Sequence, residues 1–144
     1  MKRKVSEIPQ TTQRMAEQAL SCIHSIDVFD RTCASHQAVG RLADKWTLLL
    51  FYALAQGTKR YSELQRQIVG ISPKMLTQTL RSLEENGYVE REIFPEVPPR
   101  VEYSLTELGV SFVQPVAVLY QWAQEHKDEL VRIRSRNARR AVAR

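Results

Sequence analysis

Apolar residues recur at helical spacing within residues 71–87, a stretch that also contains its own start and stop signals. Ser72 suits the residue that caps a first helical turn, Pro73 suits the first helical position, and Gly87 suits the left-handed residue after a helix. The apolar side is formed by Met75 or Leu76 together with Leu80 and Leu83. The polar side is formed by Lys74, Thr77, Gln78, Arg81 and Glu85. The pattern predicts a helix of about four turns with one packing face and one face free to bind. A plain amphipathic surface helix has the same pattern and stays an alternative.

The segments that flank this helix predict a helix-turn-helix followed by a β-hairpin. Ser62 and Gln65 have the spacing of a capping box, which predicts a short helix over residues 62–69, and a glycine then permits a tight turn. Downstream, residues 88–94 and 100–105 have the composition of two strands, separated by a proline-rich loop. This layout is typical of a winged helix-turn-helix, in which the second helix enters the major groove of DNA.

The remaining apolar periodicity predicts helices that run from Thr11 or Thr12 to Ile26, over residues 35–55, and over residues 106–130 with a kink at Pro115. A single bridge of strand is expected just before the helix-turn-helix. The expected fold is therefore mainly α with a small antiparallel β-hairpin. It forms one winged-helix domain over residues 11–130, with residues 1–10 and the basic tail 131–144 disordered.

The first and last predicted helices are expected to form a homodimer interface. The last helix carries more apolar residues than one face of so small a domain can cover. Two copies would place two reading helices about one DNA turn apart, roughly 34 Å, on a two-fold symmetric site. The alternative is an ordinary core helix.

The positive charge is concentrated at the two ends of the chain and in the predicted helix-turn-helix. The net charge is +5, but residues 131–144 hold six arginines and no acid, and residues 2–4 hold three cations, so residues 5–130 carry a net −4. Whole-chain basicity is therefore a poor argument for nucleic acid. Residues 58–81, in contrast, contain five cations and one acid, which is the footprint that a phosphate backbone requires.

Several classes of protein are not expected. No apolar run approaches the ~20 residues of a membrane span, and the start lacks a signal-peptide core, so the protein is expected to be soluble and cytoplasmic. Two cysteines are too few for a disulfide framework. The set Cys22, His24, Cys33 and His36 fits no strong zinc pattern, so neither a metal site nor a cofactor is expected. Nothing has the form of a phosphate loop or a nucleophile elbow, so the protein is not expected to be an enzyme.

Five segments in the right order resemble one family. They are Asp44–Leu50, Lys59–Leu64, Gly70–Thr77, Leu80–Gly87 and Pro95–Thr106. Together they are similar to the HxlR-type, MarR-related bacterial transcription regulators. The resemblance implies a dimeric winged-helix fold and sequence-specific DNA binding, with control of a nearby operon. The chain departs from the family pattern in having Cys33-Ala34 for Cys-Pro and Ala43-Asp44 before Lys45-Trp46.

The polar face of the second helix is expected to read bases, because arginine can bind guanine O6 and N7 and glutamine can bind adenine N6 and N7. Arg81 and Gln78 are the candidates for base edges, and Lys74 and Thr77 for either bases or phosphate. The candidates for phosphate are Ser72 with the N–H groups that follow it, Lys59 and Arg60, and Arg100 is the candidate for phosphate or minor-groove contact. The alternative reading is a winged helix used for protein contact or for non-specific DNA binding.

Cys33 is the candidate redox sensor, since in some proteins of this family a cysteine at this place responds to oxidants or electrophiles. A position at a helix start can lower the thiol pKa and favour the reactive thiolate. The alternative is a buried structural cysteine. The effector is not identified by the sequence. Repression is expected because it is the commoner outcome for a small dimer without a domain that contacts polymerase.

Overall fold

The computed structural model describes residues 9–142, which form two compact units divided after Ala43. The first unit contains α1 (Gln10–Ser21) and α2 (Ala34–Leu42). The second contains α3 (Lys45–Ala55), β1 (Lys59–Arg60), α4 (Tyr61–Gln67), α5 (Pro73–Glu85), β2 (Val89–Phe94), β3 (Arg100–Leu105), α6 (Glu107–Glu125) and α7 (Lys127–Val142). The mainly helical class is confirmed. The single domain expected over residues 11–130 falls across both units and stays a prediction. Of residues 1–10, which are expected to be disordered, residues 1–8 lie outside the described residues, whereas Gln10 begins α1. Residues 143–144 of the tail also lie outside the described residues.

The strands form one antiparallel sheet in the order β1-β3-β2. The predicted hairpin is present, with Val89 opposite Leu105 and Phe94 opposite Arg100. The expected bridge before the helix-turn-helix is the two-residue strand β1, which places Arg60 opposite Glu102. The sheet therefore ties the start of the helix-turn-helix to the hairpin, which we call the wing (residues 89–105).

The core of the second unit is centred on α3, whose buried residues are Thr47, Leu50, Phe51, Ala53 and Leu54. Leu50 and Phe51 are fully buried. The Phe51 ring meets the rings of Phe112 and Tyr88 edge-on, with centroids 4.8 and 5.9 Å apart. Buried residues from α4, α5, β2 and α6 complete this core: Leu64, Leu76, Leu80, Leu83, Val89 and Val116. The helix-turn-helix is thus packed on α3 through one face only.

The single helix predicted over residues 35–55 is wrong, since α2 ends at Leu42 and α3 begins at Lys45. The cause is Asp44, whose carboxylate accepts hydrogen bonds from the backbone N–H groups of Trp46 (2.9 Å) and Thr47 (3.1 Å) and from the buried Thr47 hydroxyl. An aspartate that caps a new helix in this way interrupts the previous one.

The predicted ends of the first and last helices are also corrected. Helix α1 ends at Ser21, and Ile23 and Ile26 lie in turns beyond it. The last helix breaks at His126, after running through Pro115, and the tail predicted to be disordered forms α7 over residues 127–142. Acidic residues in the first turn of α7 and arginines in its last turn interact favourably with the helix dipole, and both therefore stabilise the helix. Within residues 9–142, no helix combines the length and apolar character needed to cross a membrane.

Candidate nucleic-acid interface

Both ends of α5 are closed by the residues that the sequence indicated. The Ser72 hydroxyl accepts a hydrogen bond from the Met75 N–H at 3.1 Å, and Pro73 occupies the first turn. At the other end Gly87 has φ +77°. The N–H of Tyr88 donates to the Leu83 carbonyl (2.9 Å), and the N–H of Gly87 donates to the Glu84 carbonyl (3.0 Å). These two bonds form a Schellman motif, which satisfies carbonyls at the end of α5.

The two faces of α5 are separated as predicted. Its buried residues are Leu76, Thr79, Leu80 and Leu83, whereas Met75 is on the exposed side. Four of the candidate residues, Lys74, Thr77, Gln78 and Arg81, are exposed and line one open hollow of about 500 Å³ beside Pro73. We call this surface the reading face (residues 73, 74, 77, 78 and 81). It presents hydrogen-bond donors and acceptors and two cations on a single helix side.

Tyr61 is a site residue that sequence reasoning missed. Its hydroxyl donates to the Pro73 carbonyl at 3.0 Å and lies 3.1 Å from the Thr77 hydroxyl, so the first residue of α4 fixes the start of α5. Because the Tyr61 proton is used on Pro73, Thr77 donates in the second bond. The only signal in the sequence was a tyrosine next to Ser62, which does not identify its partner.

The start of α4 differs from the prediction. The helix begins at Tyr61, and the Glu63 carboxylate accepts a hydrogen bond from the Arg60 N–H at 2.6 Å, so Arg60 is the capping position and the predicted Ser62–Gln65 capping box is wrong. The reason is that pairing of Arg60 with Glu102 in the sheet holds the preceding residues extended. The ionised carboxylate of Glu63 is also a stronger acceptor than a neutral side chain.

Two of the residues predicted to contact phosphate, Arg60 and Arg100, form ion pairs with glutamates of the wing. Arg100 lies 3.0 Å from Glu96 and 3.4 Å from Glu102, and its guanidinium sits 4.1 Å above the Phe94 ring. The same Glu102 oxygen lies 3.9 Å from Arg60 Nε. Arg60 keeps 53% of its side-chain surface exposed, against 28% for Arg100. Arg100 is therefore held within the wing, and Arg60 is the more accessible cation.

Cys33 lies in the first unit, apart from the reading face in the chain, at the capping position of α2. It is a free, half-buried cysteine. Its sulfur makes no capping hydrogen bond of ordinary length, yet the backbone N–H groups of His36 and then Ser35 lower the pKa of its thiol, against burial and Asp30, which raise it. Within residues 9–142, no three His, Cys, Asp or Glu side chains are grouped to hold a metal ion.

The family model, one relative and two solved structures that match this chain are all of regulators or helix-turn-helix proteins. Residues 41–130 match the family model described as HxlR-like helix-turn-helix. The chain is similar to YtfH of Escherichia coli, named an uncharacterized HTH-type transcriptional regulator, with 39% identity over 112 residues that cover 78% of this chain and 89% of YtfH. Two solved structures are also similar. That of ytfH from Salmonella typhimurium has a TM-score of 0.69 and 38% identity, covering 76% of this chain and 97% of that one. That of the redox regulator HypR in its reduced form has a TM-score of 0.63 and 38% identity, covering 67% of this chain and 95% of that one.

Proposed function

This chain belongs to the HxlR-like helix-turn-helix family of transcriptional regulators, and from that premise we propose that it represses transcription as a homodimer on a two-fold symmetric DNA operator. The observation that carries the proposal is the reading face of α5. Arg81 and Gln78 stand beside Lys74 and Thr77 on an exposed helix side whose opposite side is buried. A helix held in this way can enter the major groove and present its side chains to base edges.

Each predicted contact has a role in this proposal. Arg81 and Gln78 read bases, and Lys74 and Thr77 contact bases or phosphate near the helix start. Ser72 with the N–H groups of the first turn, Lys59 and Arg60 contact phosphate. Arg100 orders the wing through its ion pairs with Glu96 and Glu102. It therefore supports the wing and does not bind the DNA directly, because its guanidinium group is already paired with these two carboxylates.

The homodimer is supported by an apolar stripe on α6 that the second unit leaves exposed. Leu108, Leu119 and Trp122 are 53%, 49% and 50% exposed, and with Pro115 they follow one side of the helix, next to its buried side. Exposed apolar surface of this kind marks contact with another protein surface. Met15 and Leu20 of α1, 69% and 56% exposed, offer a second such surface.

The experiment that tests this function is selection of duplexes from a random library by the purified full chain. Enrichment of a two-fold symmetric sequence would support a dimeric, sequence-specific regulator. Enrichment of no sequence at all would replace it with a non-specific or protein-binding winged helix. Repression is then tested with a reporter gene under the selected operator, whose expression should fall when the chain is supplied.

Replacing Arg81 with alanine is expected to cost about 1–3 kcal/mol of binding free energy at one base position in each half-site. The reason is the loss of a bidentate contact to guanine. Titration of duplexes that differ at single positions measures it. Lys59→Ala is the matched comparison, expected to weaken all sequences alike and to lower the salt dependence of binding by about one unit of log–log slope for each copy bound. Equal losses on operator and random DNA for Arg81→Ala would contradict the base-reading role.

We further propose that Cys33 makes binding responsive to oxidants or electrophiles. The similarity to HypR, which is named a redox regulator, supports this, as does the lowered thiol pKa at the start of α2. A lower pKa raises the thiolate fraction at neutral pH, and the thiolate is the reactive form.

The rate at which Cys33 is alkylated should rise with the fraction of its thiol that is ionised. In the Cys22→Ser background, the rate with iodoacetamide is expected to reach half its plateau at a lower pH than it does for an ordinary cysteine thiol. Rates measured by mass spectrometry across pH test this. Operator binding should weaken after iodoacetamide alkylates the Cys33 thiolate, with loss of iodide, in the parent and in Cys22→Ser, and should stay unchanged in Cys33→Ser. An identical response in Cys33→Ser would assign the effect elsewhere.

A further inference from the structure

Helix α7 carries a one-sided row of arginines that the helix-turn-helix does not explain. Between Leu130 and Val142 it has five arginines and no acidic residue. Four of them, at spacings i, i+4, i+7 and i+8, fall within an arc of about 100° around the helix. We call these four, Arg132, Arg136, Arg139 and Arg140, the arginine stripe. Arg134 lies on the opposite side of the helix, among apolar residues.

The stripe is open to solvent and its charges are available. All four side chains are exposed, and with Val131 and Ser135 they line a hollow of about 480 Å³. None of the ion pairs within residues 9–142 includes a residue of α7. One stripe residue, Arg132, donates a hydrogen bond within the helix, to the Asp128 carbonyl at 3.2 Å.

The spacing of the stripe is unfavourable for a helix with no ligand. Like charges at i,i+3 and i,i+4 repel one another, and the stripe contains both spacings. The helix dipole favours Arg139 and Arg140 in the last turn, but its effect does not extend to Arg132 and Arg136 in the middle of α7. A polyanion along this side would relieve the repulsion.

We propose that the arginine stripe is a second phosphate-binding surface, which contacts the backbone of duplex DNA beside the base pairs read by α5. The inference rests on the proposed function. The stripe extends about 12 Å along the helix, and a duplex carries about seven charges over that length. Guanidinium groups pair with phosphate oxygens bidentately. These contacts carry no base information, so the stripe contributes affinity and salt dependence without changing the preferred sequence.

The test measures dissociation constants of the full chain at several salt concentrations on two duplexes. One duplex ends at the edges of the selected operator, and the other extends it by about two helical turns on each side. Changing all four stripe residues to glutamine is expected to lower the log–log salt slope on the longer duplex by about 2 to 4 for each copy of the chain bound, with the same sequence still preferred. Arg136→Gln should lower the slope by about one for each copy bound, whereas Arg134→Gln, on the opposite side of the same helix, should leave it unchanged.

The outcomes separate this inference from the proposed function. Changing the four residues to lysine keeps the charge and should keep the slope, which shows that losses in the glutamine variant come from charge and not from folding. Operator binding by the parent with an unchanged slope in the glutamine variant would overturn the inference alone. If the parent selects no operator, the proposed function fails, while a lower slope on random DNA in the glutamine variant still supports the stripe. Stripe-dependent flotation with phosphatidylglycerol vesicles, with DNA binding unchanged, would assign the stripe to a membrane surface and overturn the proposal.

Discussion

Replacing both Leu119 and Trp122 with glutamate is expected to split the proposed dimer and to weaken operator binding by about a hundredfold or more. Both side chains are half exposed on the apolar stripe of α6, so two carboxylates there add repulsion between copies and remove apolar contact area. A monomer keeps its reading face but binds one half-site at a time. It therefore loses the higher affinity that arises when two linked copies bind both half-sites together. Sedimentation at micromolar protein and titration of the operator measure the two effects.

Two variants identify the cause of that loss. Gln114→Glu changes the charge of an exposed residue on another side of α6 and should leave mass and affinity unchanged. Trp122 also stacks on His126, with ring centroids 4.7 Å apart, so its replacement can disturb the junction with α7. Leu119→Glu alone avoids this contact and should still shift the chain toward a monomer. A parent that sediments as a monomer, or a double variant that remains dimeric, would contradict the interface.

The features predicted well from the sequence are those determined by neighbouring residues. The limits and faces of α5 follow from Ser72, Pro73 and Gly87 and from the spacing of its leucines, and the structure reproduces each of them. A cap bond or a left-handed glycine joins residues only a few positions apart, so the chain pattern identifies it. The break before α3 is of the same local kind, because Asp44 is a strong capping residue and its bonds reach only the next three positions. The apolar pattern continues on both sides of Asp44 and so hides the break.

The features that escaped prediction join residues distant in the chain. The Tyr61 hydroxyl meets Pro73 and Thr77 because two helices pack, and the Glu102 carboxylate meets Arg60 because of the register between β1 and β3. No local pattern specifies either partner. Arg100 looked like a free cation in the sequence, and only the folded wing brings Glu96 and Glu102 to it. The roles of the individual DNA contacts stay predictions, since they depend on a duplex.

Replacing Gly109 with alanine is expected to lower the free energy of unfolding by about 3 kcal/mol or more. A Cβ atom at this position would lie 2.1 Å from the Tyr88 carbonyl oxygen, which is backbone and cannot turn aside. That oxygen accepts a hydrogen bond from the Thr106 N–H at 3.1 Å, and the Thr106 hydroxyl caps α6 by accepting from the Gly109 N–H at 3.0 Å. The added methyl group must therefore push α6 away from the end of α5.

Urea denaturation followed by circular dichroism measures this loss, and Gly40→Ala is its control. Gly40 is also helical, but an added Cβ would meet nothing within 4 Å, so alanine there should stabilise the chain by about 0.5–1 kcal/mol through helix propensity. Opposite signs at two helical glycines would show that the close approach of α6 to Tyr88 is a strict requirement of this fold. A stable Gly109→Ala protein with unchanged operator affinity would contradict that requirement, because the clash would then be relieved without moving α6 relative to the reading helix.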